Sequence, residues 1–523
     1  MTNNDQKTKG GVFQKFLDHV EKIGNKLPHP VTLFFILAIV VIFISYICEM
    51  LGVSVTYEVT QKAEDGTIAT IEQTVAAVSL LSAEGIRYIF STMVTNFTGF
   101  APLGTVLVAM LGIGVAEGTG LIEAALKKAV VSTPKKLITV MVVFLGIMSN
   151  IASDAGYVVL VPLGAVIFLS FGRHPLAGLA AAFAGVSGGF SANLLLGPLD
   201  PLLGGISTEA ANIMAPGYTV QPTANWYFMI ASTFLITVLG TIVTERIIEP
   251  RLGEYKGRQV DTNINDITSD EKKGLKAALV SMLVFIGVIL ALLVPEGAIL
   301  RNPETGEILR GSAFMAGIVP IIALLFMIPG LFYGIFAKTI KNDKDVAKFM
   351  GKAMSSMGGY LVIAFAASQF IAFFNYSKLG IILAVTGADF LETIGLSGIP
   401  LMVGFVIIAA FINLFVGSAS AKWAIMAPIF VPMFMRLGYS PELTQLAYRI
   451  GDSTTNIITP LMSYFAVIVA FAEQYDEETG IGTLISMMLP YSLVFLAGWI
   501  LLMIIWLTIG LPIGPGTGIY FSF

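Results

Sequence analysis

Long apolar segments alternate with short polar segments along most of this chain. A helix needs about 20 predominantly apolar residues to cross the hydrocarbon core of a bilayer. Nine segments are interpreted as full spans, at 31–51, 97–115, 177–205, 226–243, 279–294, 314–336, 359–374, 443–471 and 484–507. The pattern therefore predicts an all-α polytopic membrane protein.

Two further apolar segments, 137–171 and 399–435, are predicted to enter the membrane and return to the side from which they came. Basic residues flank the first one at Lys135 and Arg173, and the positive-inside rule places both of these in the cytoplasm. The segment is too short for two full spans, which need about 40 residues, but it fits two half-depth helices. The same reasoning makes the second segment a hairpin that enters from outside. The predicted tips of these re-entrant hairpins are 149–154 and 417–422.

The positive-inside rule also orients the rest of the chain. Five lysines precede the first span, so the N-terminus is predicted to be cytoplasmic. Residues 52–87 alternate between polar and apolar side chains, which is typical of a small extracytoplasmic β-hairpin. We divide the chain into a cytoplasmic N-terminal segment (1–29), a first helix and extracytoplasmic loop (30–96), a first repeat (97–243), scaffold helices with basic cytoplasmic loops (244–352), a second repeat (353–510) and a C-terminal tail (511–523).

An internal repeat relates the two halves at an offset of 266 residues. Its matches are Pro162 with Pro428, Gly172 with Gly438, Pro175 with Pro441, Gly185 with Gly451, and Ser187 with Ser453. One hairpin opens from the inside and the other from the outside, so the repeat is predicted to be inverted. Inverted repeats of this kind place a shared binding site near the middle of the membrane. Chance alignment of small residues in apolar sequence is the alternative.

Two stretches within the second repeat combine charge with poor helix formers. Residues 417–420 and 451–456 are predicted to interrupt their helices, and Lys422, Arg449 and Asp452 lie beside them. A charged side chain at the bilayer centre costs roughly 2.5 to 3.5 kcal/mol, so it normally faces a partner or a watery cavity. Broken helices with such charges are typical of the ion and substrate sites of transporters.

Composition narrows the function classes. Hydrophobic residues make up 56% of the chain and charged residues 12%, with a net charge of -4, which leaves no basic surface for nucleic acid. Cys48 is the only cysteine, so no intrachain disulfide can form, and the three histidines lack the spacing of a zinc or haem site. The sequence contains no phosphate-binding loop of the nucleotide-driven pumps.

Four longer strings carry a family resemblance: NFTGFAPLG at 96–104, GRHPLAGLA at 172–180, GSASAKW at 417–423 and YRIGDS at 448–453. With these strings the chain resembles the AbgT family of para-aminobenzoyl-glutamate transporters over nearly its full length. The resemblance implies a homodimer in the bacterial inner membrane, with a scaffold and a transport part that holds both hairpins. It also implies an architecture related to sodium-coupled dicarboxylate carriers, and sulfonamide-type antimetabolites as substrates that some members export. The family's functional residues correspond to Asp200, Ser420, Trp423, Pro441, Arg449, Asp452 and Pro460.

The residues of this region suggest a division of roles. Arg449 can bind a substrate carboxylate through its planar guanidinium, or it can form a structural ion pair with Asp452. Asp200 and Asp452 are candidates for a cation ligand or a proton carrier, and Asp200 can alternatively cap a turn. Trp423 offers a flat face to an aromatic ring, or simply packs. Asn193 completes the predicted substrate-binding set. Pro428, Pro432 and Pro460 are expected to shape broken helices.

Oxygen-bearing side chains at the tips and breaks are candidate ligands for a coupling cation, because hard cations take oxygen ligands. Sodium is the ion that the family resemblance favours, and no other cofactor is expected. Each single serine can equally serve close helix packing. The predicted cation ligands are Ser149, Asn150, Ser153, Ser418, Asp452, Thr454 and Asn456.

We therefore predict a secondary active transporter and not an enzyme. Its expected partners are a small-molecule substrate, membrane lipid and a second copy of the chain. A sodium-coupled dicarboxylate symporter is the alternative within the same class. An intramembrane amide hydrolase that uses Asp200 and Asp452 as an acid and base pair is the alternative from another class. The sequence leaves open the direction of transport, the coupling ion and the part played by Lys422.

Overall fold

The computed structural model describes residues 28–62, 68–152, 156–257, 267–309 and 311–522. Its strands are β1 Ser54–Lys62 and β2 Ile68–Ala76. Its helices are α1 Pro30–Met50, α2 Ala83–Thr98, α3 Ala101–Gly118, α4 Leu121–Val131, α5 Ile138–Ser149, α6 Val161–Ser170, α7 Pro175–Phe183, α8 Leu199–Ala211, α9 Trp226–Val243, α10 Glu249–Leu252, α11 Ser269–Leu293, α12 Ala313–Ala316, α13 Ile318–Phe336, α14 Asp343–Ser356, α15 Gly358–Tyr376, α16 Leu379–Thr393, α17 Gly398–Asn413, α18 Ala419–Arg436, α19 Pro441–Asn456, α20 Phe465–Glu473 and α21 Ile481–Ile509.

The all-α fold class is confirmed, and the sheet that the described residues form is the predicted β-hairpin. Strands β1 and β2 pair antiparallel, with Ser54 opposite Ala76 and Lys62 opposite Ile68. Within the described ranges, seven helices are long and apolar enough to cross a membrane, or eight if the bent pair of Leu121–Val130 and Lys135–Ser149 forms one span. The predicted spans 177–205 and 443–471 are not among the seven because each is divided into two shorter helices. The count of nine spans thus stays a prediction.

The first predicted hairpin consists of two short helices, as its length requires. Helix α5 ends at Ser149, a 3₁₀ turn follows over Asn150–Ala152, and a π-helical turn over Gly156–Leu160 leads into α6. Residues 153 and 154 of the predicted tip lie outside the described residues. The next predicted span is loosened as expected, because a π-helical turn over Ala184–Gly188 ends the helical stretch and ten non-helical residues precede α8.

The second predicted hairpin also consists of two helices, α17 and α18. The chain leaves the helix at 414–418, so the predicted interruption at 417–420 is confirmed at its start. Helix α18 nevertheless begins at Ala419, which places Ser420 and Lys422 in its first turn and not in the tip. Ser418 accounts for this early start, because its side chain caps the helix by accepting from Ala421 N at 3.4 Å.

The predicted helix break, which runs from Gly451 to Pro460, is confirmed only at its end, because residues 451–456 stay helical. Helix α19 continues to Asn456, and the non-helical stretch covers 457–464, where Pro460 lies. Gly451 stays helical and faces α17 so closely that a Cβ at this position would lie 2.4 Å from Val406 O. The Thr455 hydroxyl donates back to Gly451 O at 3.1 Å and closes the last turn. This glycine therefore serves close helix packing and not a break.

Three of the five matched pairs of the repeat have similar local structures. Gly172 and Gly438 both adopt positive φ, +72° and +83°, at the turn before a helix. Pro175 and Pro441 are the first residues of α7 and α19, where a missing N–H is tolerated. Gly185, like Gly451, would place a Cβ 2.4 Å from a carbonyl oxygen of a neighbouring helix. These likenesses support a structural repeat, while its inverted orientation stays a prediction.

Candidate functional site

A buried ion pair joins the second hairpin to helix α19. The Lys422 ammonium lies 2.5 Å from Asp452 Oδ1, and both side chains are at most 2% exposed. The Tyr448 hydroxyl also contacts this oxygen, at 3.3 Å, and donates to Ala419 O at 2.5 Å. Lys422, whose role the sequence left open, is therefore the direct partner of Asp452. A pair buried this deeply needs additional hydrogen bonds to offset its desolvation.

Asn413, the last residue of α17, supplies one such bond to Lys422 and joins the residues around the pair. Its Nδ2, which carries two hydrogens, lies within hydrogen-bond distance of three acceptors: the Asp452 backbone carbonyl at 2.7 Å, Thr455 Oγ1 at 2.9 Å and Asn456 Oδ1 at 2.8 Å. With three acceptors around Nδ2, the amide oxygen faces the other way and accepts from the Lys422 ammonium. One amide thus links both arms of the hairpin to α19. Sequence reasoning missed Asn413, although a polar residue at the end of a strongly apolar helix was the available signal.

Arg449 forms a second buried ion pair, with Asp200. Arg449 Nη2 lies 2.7 Å from Asp200 Oδ1, and Asp200 Oδ2 accepts from Gly197 N at 2.7 Å. The alternative pairing of Arg449 with Asp452 is wrong, because Asp452 is already held by Lys422. Asp200 thus accepts a hydrogen bond within its turn, which is its alternative predicted role, and it also pairs with the Arg449 guanidinium. Nε and Nη1 of Arg449 are buried and have no hydrogen-bond partner.

Trp423 lies fully buried between the two halves of the molecule. Its indole N–H donates to Ser207 Oγ of α8 at 3.0 Å, and its ring stacks on Tyr448 with centroids 4.5 Å apart. The Ser207 hydroxyl in turn donates to Gln445 Oε1 at 2.6 Å. Ser207, Gln445 and Tyr448 had no place in the predicted site, since nothing in an apolar sequence marks which hydroxyl or amide faces a tryptophan.

The tip of the first hairpin collects polar groups around one carbonyl. Ile147 O accepts from Asn150 Nδ2 at 3.1 Å and from Asn193 Nδ2 at 3.2 Å. Asn150 Nδ2 also donates to Val186 O at 3.0 Å, and its Oδ1 is buried without a partner. Ser149 donates to Gly146 O at 2.7 Å. An orphaned buried amide oxygen is the kind of ligand that a hard cation takes, so this tip fits the predicted cation.

The remaining predicted residues are placed as follows. The Ser418 and Ser420 hydroxyls lie 3.4 Å apart at the half-buried start of α18. The Thr454 hydroxyl donates to Gly451 O at 3.1 Å. Ser153 lies outside the described residues. Pro441 begins α19, and Pro460 lies in the non-helical stretch that follows this helix.

The two halves meet where the first hairpin contacts the stretch after α19. The rings of Tyr157 and Tyr464 stack with centroids 4.8 Å apart and an angle of 5°. The Ser187 hydroxyl lies 3.1 Å from Met462 Sδ. Gly417 at the second tip packs against the same stretch, since a Cβ there would lie 2.4 Å from Leu461 O. Both hairpins and both interrupted segments therefore form one contact region.

The two carboxylates are not arranged as an acid and base pair. Asp200 is bound by Arg449 and Asp452 by Lys422, so each carboxylate is held by its own cation. An acid and base pair would have to face one substrate together, whereas these two carboxylates bind different cations.

Known proteins are similar to this chain over almost its whole length. Residues 15–521 match the family model described as the AbgT putative transporter family. The p-aminobenzoyl-glutamate transport protein of Escherichia coli (strain K12) is 42% identical over 502 residues, which cover 96% of each chain.

Two solved structures share the fold. The YdaH transporter of Alcanivorax borkumensis superposes with a TM-score of 0.86 at 46% identity, over 93% of this chain and 100% of that chain. MtrF of Neisseria gonorrhoeae superposes with a TM-score of 0.90 at 52% identity, over 96% of this chain and 100% of that chain. Its structure is described as illuminating a class of antimetabolite efflux pumps. These relatives are named as transporters or efflux pumps and not as enzymes. The chain belongs to the AbgT putative transporter family.

Proposed function

We propose that this chain is a secondary active transporter of para-aminobenzoyl-glutamate and related aromatic acid amides. The observation that carries the proposal is Arg449, whose Nε and Nη1 are buried without a partner while Nη2 binds Asp200. Unpaired buried donors are costly, and each of these two N–H groups can donate to an oxygen of a substrate carboxylate. The relative from Escherichia coli carries this substrate in its name.

An aromatic contact supports the same class of substrate. Tyr448 precedes Arg449 on α19, and its ring stacks on Trp423 of the hairpin arm α18. Para-aminobenzoyl-glutamate carries an aromatic ring joined through an amide to two carboxylates. A site with stacked aromatic rings and two free guanidinium donors therefore suits both ends of the molecule.

Export of sulfonamide-type antimetabolites is the second activity that we propose. It rests on the 52% identity with MtrF, which belongs to a class of antimetabolite efflux pumps. Uptake and efflux would use one site, and the imposed ion gradient would set the direction. Sodium and protons are the two candidate coupling ions.

Movement of the hairpins against a scaffold is the mechanism that we propose for transport. A cavity of about 890 Å³ separates the first hairpin, at Leu145 and Met148, from helices α4, α11 and α13. Its lining is almost entirely apolar, so sliding of the hairpin along it would break few polar contacts.

A homodimer in a bacterial inner membrane, with lipid around the exposed apolar face of α11, completes the proposal.

Purified protein in proteoliposomes tests this function. We expect labelled para-aminobenzoyl-glutamate to accumulate when an ion gradient is imposed, with sodium and proton gradients applied in separate experiments. An excess of an aliphatic dicarboxylate that lacks the aromatic ring should not compete, which separates this function from a dicarboxylate symporter. Absence of accumulation under both gradients, with protein that is folded and correctly inserted, would contradict the proposal.

A further inference from the structure

The oxygens predicted to bind a coupling cation at the second hairpin already surround a positive charge. Asp452 Oδ1 lies 2.5 Å from the Lys422 ammonium, and Asn413 Oδ1 accepts from the same nitrogen. Asp452 Oδ2 contacts Asn456 Nδ2 at 3.5 Å. The Lys422 nitrogen therefore occupies the position between carboxylate and amide oxygens that a sodium ion would take.

The other predicted ligands at this hairpin are engaged elsewhere. The Thr454 hydroxyl donates to Gly451 O within its own helix, and the Ser418 hydroxyl caps α18. The Asn456 amide oxygen accepts from Asn413. Of the predicted set, only the Asp452 carboxylate presents charge to this position, and Lys422 neutralises it. The ligands of the second hairpin therefore do not fit an additional sodium ion.

Charge balance gives the same result. The buried cluster holds one carboxylate and one ammonium, each at most 2% exposed. A sodium ion added beside them would leave an unpaired positive charge in a buried site, which is strongly unfavourable. The tip of the first hairpin differs, because Asn150 Oδ1 is buried and unpartnered there.

We propose that Lys422 is a tethered cation that takes the place of sodium at the second hairpin and thereby determines the ion specificity of this site. The inference rests on the proposed transport function but concerns ion binding alone. Sodium dependence of transport, where it is observed, then reports on the first hairpin. Removal of the lysine charge is expected to open a new sodium site at Asp452.

Thermal unfolding of purified protein tests the proposal without substrate. The variants are Lys422→Met, which keeps the length of the side chain without its charge, and Lys422→Met/Asp452→Asn, which removes both charges. Sodium chloride is titrated against choline chloride at constant ionic strength. We expect a saturable, sodium-specific rise in the melting temperature of Lys422→Met beyond that of the parent, and no such gain in the double variant. A folded Lys422→Met protein that gains no response to sodium would overturn the proposal.

A second measurement covers the case in which the single variant does not fold. Equilibrium binding of radioactive sodium is compared between the parent and the double variant, which leaves no unpaired buried charge. We expect equal stoichiometry, since the parent binds no sodium at Asp452. A parent that binds one more sodium ion than the double variant would refute a tethered cation. Neither result depends on transport, so failure of the proposed function is recognised separately in proteoliposomes.

Discussion

At the scale of single residues, two buried ion pairs tie sequence-distant segments together. Asp200 and Arg449 lie in different repeats, and Lys422 and Asp452 join a hairpin arm to α19. Removing one partner of a buried pair costs about 3 to 5 kcal/mol, because the other charge is left uncompensated. Loss of transport in an alanine variant of Arg449 therefore does not distinguish substrate binding from stability.

A conservative variant combined with a matched substrate makes this distinction. Arg449→Lys keeps a positive charge for Asp200 but removes the two free guanidinium donors. We expect its affinity for para-aminobenzoyl-glutamate to fall by about 1.5 to 3 kcal/mol, roughly 10- to 150-fold. The analogue in which both carboxylates are carboxamides should bind parent and variant about equally. Competition against labelled substrate measures the affinity of both compounds for parent and variant. An equal loss of affinity for the diacid and the diamide would assign Arg449 a structural role only.

At the scale of elements, α19 is the helix on which the site depends. All 16 of its residues are buried, including charged and polar ones. Its close approach to α17 depends on Gly451, whose absent side chain leaves room for Val406 O and the Ala409 side chain. This contact fixes the distance between Asn413 at the end of α17 and Asp452 on α19.

Two glycines on these paired helices provide a matched comparison. In Gly451→Ala the new Cβ would lie 2.4 Å from Val406 O, so we expect destabilisation of about 1 to 3 kcal/mol. In Gly404→Ala the Cβ meets nothing within 4 Å, and the helix should gain up to about 1 kcal/mol. Unfolding in detergent measures both variants. Equal stability of the two would show that the helices separate easily, contrary to the packing described above.

The sequence predicts elements far better than it predicts partners. Hydropathy locates both hairpins and the interrupted segments, because the cost of exposing polar groups to lipid acts locally along the chain. It misses the role of Gly451, since a glycine between polar residues has the same pattern in a break and in a tight helix contact. The assignment of Arg449 to Asp200 could not be predicted either. Pairing over 249 residues depends on how the two repeats pack, which periodicity does not encode.

At the scale of the whole molecule, the two matched turns contact different segments of the chain, the first at α10 and the second in the C-terminal tail. Arg173, next to Gly172, pairs with Glu249 at 2.5 Å, and Arg251 of the same short helix donates to Ser486 near the start of α21. Gly438 O accepts from Phe521 N at 2.8 Å, in the tail that follows the end of α21. Helix α21 has 29 residues and therefore spans about 43 Å, more than the hydrocarbon core of a bilayer.

This placement leads to a test of the inverted repeat. Ser170 and Arg436 precede the matched turns and are exposed and half-buried, respectively. In a Cys48→Ser background, we expect a membrane-impermeant maleimide to label Arg436→Cys in intact cells and Ser170→Cys only after the membrane is permeabilised. Transport by each variant serves as the control for folding. Labelling of both from one side would require a parallel repeat. Two turns of parallel repeats lie on the same face of the membrane, whereas those of inverted repeats lie on opposite faces, so the side from which each cysteine is labelled decides between the two arrangements.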